Sequence, residues 1–255
     1  MRPVTSALIT GASSGIGQAL AVALAGPGVR LHVSGRDADR LDRTAEACRS
    51  RGASVEPKVL DVRDRNAMHD WIVTAGKLDL VIANAAIAAG IAGGAAERPD
   101  QTRALFETNL DGALNAILPA MEAMRAQPPG PDGVRGRIAV IASVAAFLPL
   151  PGAASYCATK AALDTWVVAS APAARREGIR LTSVCPGFVR TPMTDRNAGR
   201  MPGLIEPEEA ARRILRGIAA ERVRIVFPWW MGLSARLGGW VPPRVLAAVV
   251  SRPRR

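Results

Sequence analysis

Tyr156 and Lys160 stand four residues apart in Ser155-Tyr156-Cys157-Ala158-Thr159-Lys160. On a helix that spacing puts a phenol and an amine on one face, about 6 Å apart along the axis. A phenol with an ordinary pKa near 10 is a poor proton donor or acceptor at neutral pH. A cation beside it favours the phenolate, and bringing the phenol near neutrality takes roughly 4 kcal/mol. The pair is therefore a candidate proton-transfer device. Taken alone, the same spacing also describes an ordinary exposed helix face.

What raises the pair above chance is where other polar groups fall relative to strands. Val4 to Thr10 reads as a short apolar strand that runs into Gly11-Ala12-Ser13-Ser14-Gly15-Ile16-Gly17 and then a helix from Gln18 to Ala25. Glycines there let the backbone turn tightly and approach a phosphate, and the helix start offers free N–H groups and a positive dipole end. The spacing is Gly-x-x-x-Gly-x-Gly, and a purely structural turn has the same composition. The second strand, Val29 to Ser34, ends at Gly35-Arg36-Asp37. A dinucleotide fold meets the adenosine ribose at this point, where an acid binds a 2′-hydroxyl and a base a 2′-phosphate. Arg36 favours NADP over NAD, and Asp37 reads as the cap of a helix from Ala38 to Arg51. Arg40 and Arg43 on that helix either reinforce the phosphate site or form a solvated face.

Ser54 to Leu60 is a third strand closed by Asp61-Val62, where Asp61 either accepts from an adenine amine or caps the next helix. Leu78 to Ala83 is almost wholly apolar, as suits a central parallel strand covered on both faces, and it ends at Asn84-Ala85-Ala86-Ile87. Ala88 to Gly94 reads as a loop. One long helix is expected from Thr102 to Ala126, with Asn109 polar in its apolar stripe. Gln127-Pro128-Pro129-Gly130-Pro131-Asp132-Gly133 reads as a mobile surface excursion. Arg137 to Ala142 is a strand delivering Ser143. A helix then runs from Tyr156 to about Glu177, bent at Pro172 because an interior proline kinks or destabilises a helix. Leu181 to Cys185 is the next strand, turning at Pro186-Gly187, and Pro207 to Ala220 is helical before a last strand, Arg224 to Phe227. The alternation predicts one Rossmann-type, doubly wound α/β fold over residues 1–227, a parallel sheet of about seven strands flanked by helices. Residues 228–255 form a C-terminal extension of that domain. The groups Gly11 to Gly17, Arg36, Asp61, Asn84, Ser143 and Pro186 all follow strands, so they converge on the sheet's carboxyl edge.

The formal charge is +11, carried by thirty Arg and three Lys, and the apolar fraction of 49% is ample for a core. The basic residues are scattered and Phe and Tyr total five, which argues against nucleic-acid binding. Three cysteines without CxxC spacing and two histidines argue against a metal site or a disulfide framework. The strand that starts at Val4 leaves no room for a signal peptide, so a cytoplasmic setting is expected.

As a set these motifs resemble the short-chain dehydrogenase/reductase family: Thr10-Gly-x-x-x-Gly-x-Gly17, Asp61-Val62, Asn84-Ala85, Asn109, Ser143, Tyr156-x-x-x-Lys160 and Pro186-Gly187 with Thr191. The resemblance implies NAD(P)-dependent interconversion of a carbonyl and an alcohol. It implies that Ser143 and Tyr156 hold the carbonyl oxygen, with Tyr156 as acid/base. Lys160 would grip the nicotinamide ribose and lower the phenol's pKa, and Asn109 would hold a water linking Lys160 to solvent. It further implies cofactor contacts from Gly11, Ser13, Ser14, Gly15, Ile16, Gly17, Arg36, Asp61, Val62, Asn84, Ala85, Ala86, Pro186, Gly187, Val189 and Thr191, besides Tyr156 and Lys160. A homodimer or homotetramer is the expected assembly. Ala83 and Ala86 depart from the family's Asn-Asn-Ala-Gly, which narrows the loop near the nicotinamide without removing a reacting group. The competing reading is a regulator that binds NADP(H) and senses redox state without turnover; a sensor has no need of a proton relay.

The extension 228–255 is apolar and holds three of the five tryptophans. Its glycine and proline pairs argue against a membrane-spanning helix. It reads as a substrate lid or subunit contact, or as a peripheral membrane attachment, and either use predicts an apolar small-molecule substrate. Ala145 to Leu150 and Val189 to Ile205 are expected to line the pocket with it.

Overall fold

The computed structural model describes residues 3–88, 97–196, 200–242 and 244. Parts of the loop expected at 88–94, of the pocket segment at 189–205 and of the tail beyond 244 lie outside those residues.

The chain runs β1 (Ser6–Ile9), α1 (Gly15–Leu24), β2 (Arg30–Gly35), α2 (Ala38–Arg49), β3 (Ser54–Val59), α3 (Arg65–Thr74), β4 (Leu80–Ala83), α4 (Pro99–Phe106), α5 (Gly112–Ala126), β5 (Gly136–Ile141), α6 (Ala154–Arg176), β6 (Ile179–Pro186), α7 (Pro207–Ala219), β7 (Arg224–Phe227) and α8 (Trp229–Gly239). The seven strands form one sheet in the order β3-β2-β1-β4-β5-β6-β7, and every pairing is parallel. β4 and β5 are buried at every position, which is why β4 reads as an unbroken apolar run and β5 as one interrupted only by Arg137. Alternate residues feed two cores. Ala7, Ile9, Leu80, Ile82, Ala139 and Ile141 face α1, α2 and α7; Leu8, Val81, Ala83, Ile138 and Val140 face α3, α5 and α6. From β1 the chain winds outward to β2 and β3, then returns to place β4 on β1's other side. The crevice at that reversal, outside the carboxyl ends of β1 and β4, is where this architecture binds ligands.

Two expectations change and two segments gain definition. The long helix over 102–126 begins at Pro99 and is interrupted by a π-helical turn, Glu107–Asp111, between α4 and α5. Gly112, just past that turn, lets the helix press on Val62; a Cβ there would lie 2.5 Å from Val62 Cγ2. The excursion at 127–133 is tied down rather than loose. Gln127 is buried, exchanges hydrogen bonds with Leu78 N and O at 3.1 and 2.8 Å, and Asp132 accepts from the buried Arg137 at 2.9 Å. α6 continues through Pro172 to Arg176. Finally, the segment after Phe227 folds into an eleven-residue helix with Gly238 and Gly239 inside its last turn. Their missing side chains admit Leu148 and the Phe147 carbonyl, 2.9 and 2.6 Å from where a Cβ would stand. No helix among the described residues is long and apolar enough to cross a membrane.

Candidate active site

The glycine turn is built against Asn84. Asn84 Nδ2 donates to the Thr10 and Gly11 carbonyls, each at 3.0 Å, while Thr10 Oγ1 accepts from the Asn84 and Ala85 amides at 3.0 and 3.1 Å. These bonds pin the ends of β1 and β4 together at the reversal. A Cβ on Gly17 would sit 2.4 Å from Gly11 O and 2.5 Å from Asn84 Nδ2, so only glycine fits. Gly11 and Gly15 take φ of +67° and +58°, where other residues are strained. No side chain caps α1, so its first N–H groups remain available to an acceptor. A cleft of about 410 Å³ opens in front of them, lined by Ser13, Ser14, Gly15, Gln18, Arg40, Arg43, Arg190, Thr191, Pro192, Asp195 and Pro207. A glycine cradle, free helix N–H groups and three guanidinium groups make a cleft that fits the phosphates of a dinucleotide.

Several expected neighbours do assemble here. Thr191 packs on the turn, 2.7 Å from where a Gly15 Cβ would lie. Gly187 donates to Phe227 O at 2.7 Å, holding the β6 turn open beside β7. Arg36 is exposed at the end of β2 and close enough to Asp61 to favour its ionised form. Asp37 caps α2, accepting from Arg40 N at 3.0 Å, and Arg40 is ion-paired back to it at 2.6 Å. Asp61 caps nothing; Asp64 caps α3 instead, accepting from Ala67 N at 3.0 Å. Asp61 is gripped by Arg63 at 2.7 Å, whose hydrogen bonds hold its carboxyl below the ordinary range. Val62 and Val189 are buried in the core, on opposite faces of the sheet.

On the other side of β4 stand the reacting groups. Ser143 follows β5, and its Oγ accepts from Ala145 N at 3.1 Å to start a short 3₁₀ turn, Val144–Phe147. Tyr156 and Lys160 lie on α6, one turn apart as their spacing predicts, with Lys160 Nζ 5.8 Å from the Tyr156 ring centre. Lys160 is buried, 2% exposed, and donates to Ile141 O at 2.7 Å. Burial brings its pKa down to about 8. Burial also pushes the Tyr156 phenol up, while the nearby Ser143 hydroxyl pulls it down. Of these two effects desolvation is the larger, so the phenol lies above its ordinary value.

Asn109 lies fully buried in the π-helical turn. Its Oδ1 accepts from Ile87 N at 2.8 Å, and its Nδ2 donates to Ile87 O at 2.9 Å and to Thr159 Oγ1 at 3.4 Å. The amide is thereby committed to protein partners. It braces the β4 loop against α6.

Two groups escaped the sequence reading. Glu97 caps α6 from 58 residues away, accepting from Ser155 N at 3.1 Å and from the Ser155 hydroxyl; the helix's own N-cap, Ala153, has no side chain able to do this. Asp164, one turn past Lys160 and buried, accepts from Arg224 at 2.9 and 2.7 Å and from Ser183 Oγ at 2.7 Å. No local pattern marks either pair. Glu97→Ala should cost about 1–2 kcal/mol of stability, as loss of a helix cap does, with Glu97→Gln recovering much of it; urea unfolding measures both.

Residues 5–201 match the profile of the short chain dehydrogenase family. The chain belongs to that family. It is an oxidoreductase, similar over its whole length to an uncharacterized oxidoreductase of Myxococcus xanthus (35% identical, covering 98% of this chain and 97% of the relative). A putative ketoacyl reductase of granaticin polyketide synthesis from Streptomyces violaceoruber is 34% identical over 82% of this chain and 77% of its own. Among solved structures, an actinorhodin polyketide ketoreductase variant with NADPH superposes with a TM-score of 0.76 at 26% identity, covering 89% of this chain and 97% of that one.

Proposed function

We propose that this short-chain dehydrogenase interconverts an apolar ketone and its secondary alcohol, with NADPH-dependent reduction as the favoured direction. The observation that carries the reading is the meeting of Ser143, Tyr156 and buried Lys160 at the same sheet edge as the glycine cradle. The dinucleotide, when bound, supplies or accepts the hydride. Gly11, Ser13, Ser14, Gly15, Ile16 and Gly17 would hold its phosphates, with Asp61, Val62 and Asn84 to Ala86 along its adenosine and nicotinamide sides, and Pro186, Gly187, Val189 and Thr191 closing from β6.

Ser143 Oγ and the Tyr156 hydroxyl are preplaced donors for a carbonyl oxygen that gains negative charge. Tyr156 gives that oxygen its proton in reduction and removes it in oxidation. Lys160 Nζ holds positive charge one turn away and binds ribose hydroxyls. Asn109 keeps the β4 loop and α6 in register. The walls beyond Ser143 support an apolar substrate: Phe147 and Leu148 follow it, α8 packs on them, and Trp230 lies against Gly203. The names of the ketoreductase relatives support the reaction class.

Oxidation of NADPH on a panel of bulky ketones tests the reading, since a nucleotide-sensing regulator shows no turnover. NADPH should be preferred over NADH, and Arg36→Ala should lower that preference about tenfold, roughly 1.4 kcal/mol. An unchanged ratio of kcat/KM for the two nucleotides would remove Arg36 from the phosphate site. The assembly proposed is a homodimer or homotetramer, read by light scattering.

A further inference from the structure

Helix α8 has two unlike faces. Met231, Gly232 and Ala235 are buried, with Met231 against Gly187 and Gly232 against Val226. On the opposite face Trp229, Leu233, Leu237 and Trp240 are 72, 49, 52 and 84% exposed. Their spacing of four, four and three residues lines them up as one stripe. A contiguous apolar row of this size marks an interaction surface, whereas single exposed apolar residues mean little.

The charge balance of this end of the chain identifies the stripe's partner. After Glu221 the sequence contains seven arginines and no Asp or Glu. Arg236 and Arg244 are both exposed, and Arg236 lies 4.2 Å over the Phe147 ring. A second copy seated face to face would set these guanidinium groups against their counterparts in a chain of net charge +11, and like charges so placed oppose docking. An anionic surface meets the same groups with attraction. Tryptophan and arginine, apolar along their bodies and polar at one end, are suited to the boundary between headgroups and acyl chains. Eleven residues make a helix of about 16 Å, which suits lying in that plane.

We propose that α8 docks the enzyme on an anionic lipid bilayer through Trp229, Leu233, Leu237 and Trp240, flanked by Arg236 and Arg244. The test is sedimentation of the full chain with vesicles of phosphatidylcholine and phosphatidylglycerol at three to one, and with phosphatidylcholine alone. The wild type should bind the anionic vesicles at least tenfold better, and less in 0.5 M salt than in 0.1 M salt. The variant L233S/L237S/W240S, all at exposed positions, should keep its thermal midpoint and lose binding at least tenfold. The proposal is overturned if the wild type stays in the supernatant, if the variant binds equally, or if the two differ in oligomeric state and not in vesicle binding. The readout needs no turnover, so it stands apart from the ketone reduction proposed above.

Discussion

Replacing Tyr156 with Phe should lower kcat for ketone reduction by about 10²- to 10⁴-fold, the contribution typical of a positioned proton donor. The ring remains in the same place, so nucleotide affinity should change less than about threefold. The direction of the phenol's shift adds a pH signature. Burial raises the phenol above its ordinary 10, so its protonated form dominates across the neutral range and the acid needed for reduction is already loaded. The base needed for alcohol oxidation is the scarce phenolate. Oxidation by the wild type should therefore climb toward tenfold per pH unit above neutrality, and the climb should be absent in Tyr156→Phe. Equal rates for the two proteins would end the assignment of Tyr156 as acid/base.

The second large effect is on Lys160, and its sign differs between function and stability. Its pKa falls from an ordinary 10.5 to about 8 in the folded chain. Below about pH 8 the amine is charged in both folded and unfolded states, and folding bears the full cost of burying that charge. Between 8 and 10.5 the unfolded chain holds the extra proton, so stability rises with pH; above 10.5 the cost is gone. The difference corresponds to about 3 kcal/mol. Lys160→Met fills the same space without the charge. It should raise stability at pH 7 by up to about that amount, less what the 2.7 Å bond to Ile141 O contributes, and should flatten the rise between pH 8 and 10.5. Nucleotide affinity and kcat should each fall at least tenfold. Gain of stability with loss of function is the pattern of a charged group retained for its chemistry. Thermal unfolding at pH 7 and 10 with nucleotide titration decides it, and a destabilised, fully active variant would contradict both halves.

What the sequence made legible was local. The glycine turn, the alternating strands and the Tyr156–Lys160 spacing are each settled within a few residues, because helix period and turn chemistry operate over that range. What it hid depends on contacts across the fold. Glu97 and Ser155 are joined only when the loop after β4 reaches α6. Asn109 reads as one polar residue in a helix, and its bonds to Ile87 and Thr159 exist only once the β4 loop and α6 are brought to it. Arg137 and Asp132 look like strand and loop residues until the sheet buries one and the 127–133 segment delivers the other. The raised phenol has the same origin, since desolvation is a property of the assembled site and not of a motif.

β3 has a consequence for how copies of the protein meet. As one of the two outermost strands of the sheet it has one row of backbone groups with no neighbouring strand, a template on which a foreign strand can grow. It pairs Pro57 with Val33 and Lys58 with Ser34, and its exposed positions include Glu56 and Lys58. Proline interrupts the donor row, and a charge must be desolvated by any strand laid alongside. The rim thus resists cross-β recruitment of a neighbouring chain, a safeguard for an enzyme whose other surfaces include a row of bare tryptophan and leucine.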